Sequence, residues 1–162
     1  MVLLLKLLHI VVAIGFVAGI IGRTFAMSQA RRTPDLHALD SLVQLGGRFD
    51  QILVIPCSNA VLPLGILTAW AEGWPGWGLL PSRGSLWLFV SLLLALSLIP
   101  IVFLIFLPRG RVFDAALKDA LARGEITPDL QQAFANRAVH NAHIYEAVAL
   151  AIIVILMVVK PF

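Results

Sequence analysis

The sequence predicts an all-α membrane protein: four transmembrane helices in an antiparallel bundle, with short interfacial helices at the cytoplasmic ends. Two observations carry this. Of 162 residues, 60% are hydrophobic and 13% charged, and the mean hydropathy is +0.95. Soluble domains run about 45–50% apolar and about 25% charged. A 17.6 kDa particle leaves too much of its surface exposed to hide that surplus. The second observation is four separate apolar stretches, each near the roughly 20 residues a bilayer-crossing helix needs. A soluble enzyme, a nucleic-acid module and a disordered tail are thereby excluded. The lone cysteine, Cys57, forbids an internal disulfide framework and any cysteine-based zinc or iron–sulfur site.

The stretches cover about 2–22, 52–70, 86–107 and 144–159, within a single domain. Backbone left unpaired in lipid is costly, which favours helices, and no alternating pattern suggests a barrel. The first stretch lacks a basic region ahead of it and carries Lys6 inside it, so it reads as a retained helix rather than a cleaved signal. Its Gly15, Ala18, Gly19 and Gly22 form a small-residue face suited to close helix approach, by a membrane partner or a second copy of the chain. Pro56, Pro63 and Pro100 are expected to kink the second and third spans.

Between the spans, Thr33-Pro34-Asp35-Leu36 reads as a helix start with Thr33 as N-cap. Leu36, Leu39, Leu42 and Val43 then make an apolar stripe that Gly46-Gly47 should end. Phe113, Ala116, Leu117, Ala120 and Leu121 make a second stripe, stopped by Gly124, and Thr127-Pro128-Asp129-Leu130 starts a further helix.

Orientation follows from the basic residues. One side carries Lys6, Arg83 and Lys160; the other carries Arg23, Arg31, Arg32, Arg48, Arg109, Arg111, Lys118, Arg123 and Arg137. The richer side is expected in the cytoplasm, with both termini periplasmic, as in a bacterial inner membrane. Trp70, Trp74, Trp77 and Trp87 flank the opposite loop, where an interfacial aromatic belt belongs. The basic balance is thus topology and attraction to anionic lipid, and the expected partner is the bilayer, not nucleic acid.

Ionisable groups inside the spans are the candidate functional residues. Lys6 and His9 lie three apart on the first helix, and Lys6 is near enough to the end to snorkel. His9 is deeper. It can donate to a carbonyl of a neighbouring helix, or as neutral imidazole ligate a haem iron or metal, or relay protons. Asn136, His140, His143 and Glu146 share one arc at the Arg-rich end of the fourth helix. His140, His143 and Glu146 are candidate metal ligands, or groups hydrated and paired with Arg23, Arg48 or Arg109. An axial gap of roughly 16 Å keeps His9 and His143 from sharing one iron. Met157 lies nearer the depth of His9, so a His9/Met157 haem site is geometrically open.

These segments resemble the HemJ-type membrane protoporphyrinogen oxidases and their relatives, which include predicted integral membrane proteins of unknown function. Lys6-Leu7-Leu8-His9-Ile10 with Phe16-Val17-Ala18-Gly19-Ile20 is similar to that family's K-x-x-H-I and W-x-A-G-L. Arg48, Pro56 and Gly65 keep a similar spacing. The end, Ile153-Val154-Ile155-Leu156-Met157-Val158-Val159-Lys160-Pro161-Phe162, is similar to its I-V-I-L-x-V-V-K-P-F. Glu146 stands near the position of its fourth-helix glutamate. The family's third helix opens W-L-H-x-K, where this chain has Trp87-Leu88-Phe89-Val90-Ser91. The resemblance implies a relative that keeps the scaffold and a haem b at His9, with a redox or accessory role, rather than the oxidase itself. The other readings are a non-catalytic subunit of a larger membrane complex and a protoporphyrinogen oxidase with an altered site.

Overall fold

A computed structural model describes residues 1–74, 76 and 84–161. Trp77 and Arg83 of the expected belt and charge count, and Phe162 of the terminal motif, lie outside the described residues. Among those described there is helix and no strand. The order is α1 (Val2–Ala30), α2 (Leu36–Phe49), α3 (Ile55–Ala71), α4 (Leu86–Ile101), α5 (Leu107–Arg123), α6 (Pro128–Phe134) and α7 (Arg137–Val159). Four helical stretches are long and apolar enough to cross a membrane: Val2–Ala30, Leu36–Ala71, Leu86–Arg123 and Pro128–Val159.

The helices expected at the Arg-rich end are present, and two of them continue spans without a break. α2 joins α3 through a π-helical segment, Asp50–Val54, and α4 joins α5 through another, Val102–Phe106. The N–H of Ile55 bonds the carbonyl of Asp50, and that of Leu107 bonds Val102, five residues back in each case. Each segment ends two residues before a proline, Pro56 or Pro108. A proline ring collides with the carbonyl four residues earlier, here that of Ile52 or Leu104, and both carbonyls lie in the widened turns.

Helix ends follow capping chemistry, with one shift from expectation. Asp35, not Thr33, caps α2, accepting from the N–H groups of His37 and Ala38; Thr33 turns its hydroxyl back to the Gln29 carbonyl. Thr127 caps α6 through the Leu130 N–H, and Gly124, at φ 73°, ends α5. Asn136 is not part of a side-chain cluster with the histidines. It caps α7, accepting from the N–H groups of Ala138 and Val139. Gly46-Gly47 does not end α2. Gly46 is buried with Met27 Cγ and Sδ 3.5 Å from where its Cβ would stand, and packing on α1 outweighs the roughly 1 kcal/mol a helical glycine costs.

α1 packs on α2 and α3, and α4 packs on α7, giving two helical hairpins. Large apolar side chains such as Leu3, Leu4, Ile14, Phe103, Leu104 and Val158 point outward along these helices. In water such surface would demand burial; in hydrocarbon it is the lipid face. At the Arg-rich end the hairpins share a conventional core. Ala30, Leu36, Leu39, Leu117, Ala120 and Leu130 are buried there, flanked by Phe113, Ile126 and Phe134.

The glycine face of α1 is filled by the chain's own second span. A Cβ on Gly15 would stand 3.0 Å from Cys57 Sγ, one on Gly19 2.8 Å from Leu53 Cβ and 3.2 Å from the Val54 nitrogen, and one on Gly22 2.5 Å from the Phe49 ring. The surface expected to receive a partner or a second copy is therefore internal. Gly19→Ala is expected to push α1 off the π segment and destabilise the protein by about 1–3 kcal/mol, the usual range for overpacking. Thermal unfolding in detergent checks this, with Gly47→Ala, which meets nothing within 4 Å, as the near-neutral control.

Candidate functional site

Two groups of ionisable side chains sit in the spans. Toward the Lys6 end, the Lys6 ammonium donates to Glu72 Oε1 at 2.7 Å, and the Trp74 indole N–H donates to Oε2 at 2.9 Å. Trp74 meets the Trp87 ring edge-on with centroids 5.6 Å apart, and the Lys160 ammonium lies 5.1 Å from the Trp87 centroid. This chain of contacts runs from the first span to the last.

The Lys6 hydrogen bond, helped by that of Trp74, holds the Glu72 carboxyl below the usual carboxylate range. A depressed carboxylate pKa adds stability that is present above the unfolded value, about 4.3, and lost as pH falls through the lower folded value. The pair is partly solvated, so the effect is small. Thermal midpoints in detergent are expected to be insensitive to Glu72→Gln below the folded pKa of Glu72, and lower in the variant at pH 6–7.

His9, three residues further along α1, faces α3. A Cβ on Gly65 would stand 3.0 Å from its Cε1 and 3.5 Å from Nδ1, so the glycine is what lets the imidazole reach the helix backbone. The Val61 backbone lies beside the ring. Nδ1 is nevertheless buried without a partner of hydrogen-bonding geometry. The three residues considered for a haem site are not gathered in one place. Lys6 is occupied by Glu72, while Met157 is half-buried on α7, whose packing partner is α4. His9 is the one that fits iron. One edge of its ring addresses the α3 backbone, the usual second contact of a ligating histidine, and no side chain occupies it.

At the Arg-rich boundary, Arg23 is the hub of the second group. Its Nη1 donates to Asp50 Oδ1 at 3.2 Å and its Nη2 to Glu146 Oε2 at 2.6 Å. His143 Nδ1 lies 3.3 Å from the same Glu146 oxygen and 3.5 Å from Arg23 Nη2. The imidazole stacks on Phe106, centroids 4.6 Å apart and planes 26° apart, and the guanidinium lies 5.8 Å from the same ring's centroid. Every span contributes: α1 gives Arg23, the π segment before α3 gives Asp50, the π segment after α4 gives Phe106, and α7 gives His143 and Glu146. The Arg23 side chain is 13% exposed and that of Glu146 9%, and Arg23 Nε is buried without a partner. Arg23 balances one carboxylate, so the group is formally −1 with His143 neutral and 0 with His143 protonated. It can tie helices together or hold a single exchangeable proton.

Of the three candidate metal ligands, His143 and Glu146 meet, whereas His140 is exposed and outside the cluster. Among the described residues no three His, Cys, Asp or Glu side chains gather where a metal could be held. The sequence offered Glu146 three possible arginine partners, and the structure selects Arg23. Asp50 and Phe106 escaped sequence reasoning. Asp50 had a signal, being the acid that immediately precedes the second apolar stretch; Phe106 had none among nine phenylalanines.

A family model described as "Predicted integral membrane protein (DUF2269)" matches residues 3–161. The match makes no link to the membrane protoporphyrinogen oxidases. No curated protein and no solved structure matches the chain.

Proposed function

The chain belongs to this family of predicted integral membrane proteins, and from that premise we propose that it is a bacterial inner-membrane protein binding b-type haem through His9, in a redox or accessory role. The Arg-rich end then faces the cytoplasm and both termini the periplasm, as the distribution of basic residues requires. The observation that carries the haem reading is the placement of His9: an imidazole deep in an apolar helix, seated on backbone that a glycine uncovers, with no side-chain partner. Bound haem supplies one-electron chemistry. The protein's part is to fix the ring. The α3 backbone at Val61 and Gly65 sets its orientation, and the surrounding aliphatic side chains exclude water. Lys6 is held aside by Glu72. Haem assayed as the pyridine haemochrome, on protein purified from haem-replete cells, is expected near one per chain and absent in His9→Ala.

A second reading is favoured by a different observation. The ionisable clusters at both ends link all four spans, as a non-catalytic subunit of a larger complex would need for rigidity. Folded wild-type protein free of haem supports that reading instead.

A further inference from the structure

Beyond the Arg23 cluster, α1, the turn after it and α6 enclose a cavity of about 610 Å³. Its lining includes Arg31, Arg32, Leu39, Ile126, Gln131 and Phe134, and no acid. The nearest acid in sequence, Asp35, is spent capping α2. Neither Arg31 nor Arg32 forms an ion pair among the described residues, unlike Arg23 and Arg123. Basic residues at a helix C-terminus complement its dipole, which accounts for their sign. It does not account for Arg31 lying on the ring of Phe134, a residue of another helix, with its guanidinium 5.8 Å from the centroid. That ring is itself fixed edge-on against Phe113, centroids 4.8 Å apart.

From this arrangement we propose that the cavity binds a small organic anion, a phosphate or carboxylate carried on a flat apolar body. Arg31 and Arg32 take the anion, for which guanidinium geometry is suited. Phe134, Leu39 and Ile126 take the body. The volume is in the range of small-molecule sites, about 300–1,000 Å³. Depth separates a soluble ligand from a lipid headgroup. Arg31 is eight residues past Arg23, roughly 12 Å along the helix, whereas the headgroup layer adds only about 5–8 Å to each side of the hydrocarbon. The guanidinium groups therefore stand clear of the lipid phosphates.

The test uses the full chain in phosphatidylcholine nanodiscs with phenyl phosphate as probe, titrated by ligand-observed NMR. Phenyl phosphate is expected to bind at least about tenfold tighter than either inorganic phosphate or phenol, since each of those supplies half of the contacts. R31Q/R32Q is expected to weaken it about tenfold or more while leaving the thermal midpoint unchanged, because both side chains are exposed. Equal binding by wild type and R31Q/R32Q overturns the proposal, as does no binding at millimolar probe. Inorganic phosphate binding as tightly as phenyl phosphate removes the apolar half of the site. Competition by nanodiscs containing phosphatidylglycerol assigns the arginines to lipid, and also overturns it.

Discussion

Arg23→Met is expected to be among the most damaging single substitutions in the chain. It leaves Asp50 and Glu146 facing each other without their cation, in a site where Glu146 is 9% exposed. Removing one partner of a buried ion pair costs about 3–5 kcal/mol, because the remaining charge is neither solvated nor balanced. The expected result is a loss of folded protein in detergent, or a fall in the thermal midpoint well beyond that of any surface arginine. The triple variant Arg23→Met, Asp50→Leu, Glu146→Leu separates two causes. If the cluster serves only to join helices, apolar replacement of the whole group recovers most of the stability. Recovery of stability without recovery of activity in the cell would show that the cluster's charges are used for more than packing.

The second large effect is expected at Leu130. It is fully buried where α6 closes over α2 and α5, the one region whose packing is driven by water rather than lipid. Leu130→Ala removes three heavy atoms from a site ringed by other helices and should cost about 2–5 kcal/mol. Limited proteolysis of the Arg-rich end is the sensitive readout, since the spans stay in detergent while this cap loosens. Ile21→Ala, on the lipid face and 63% exposed, is the matched control and should be near neutral.

The fold was legible because the constraint that makes it is a crude one. A run of apolar residues long enough to cross a bilayer has few alternatives to helix, so the spans and the direction of their charge bias can be read directly. Local capping was legible to within a residue or two. Thr127 behaves as expected, whereas Asp35 displaces Thr33 because its carboxylate reaches two backbone N–H groups at once. What could not be read was whatever depends on a neighbour. Gly46 fails to end its helix because Met27 packs on it, and the glycines of α1 look inward because Phe49, Leu53 and Val54 fill them. The Arg23 cluster was half legible. Glu146 needed a cation, but choosing among three arginines and recruiting Asp50 required knowing that the π segments of two spans come to the same depth.

The haem reading rests on His9 alone, and the reduced-minus-oxidised absorption spectrum of the purified protein tests it most directly. The account predicts a Soret shift and α-band typical of b-type haem in the wild type, both lost in His9→Ala with the helical circular dichroism unchanged. A haem spectrum that persists in His9→Ala, or a folded wild-type protein from haem-replete cells with no Soret band, would contradict it.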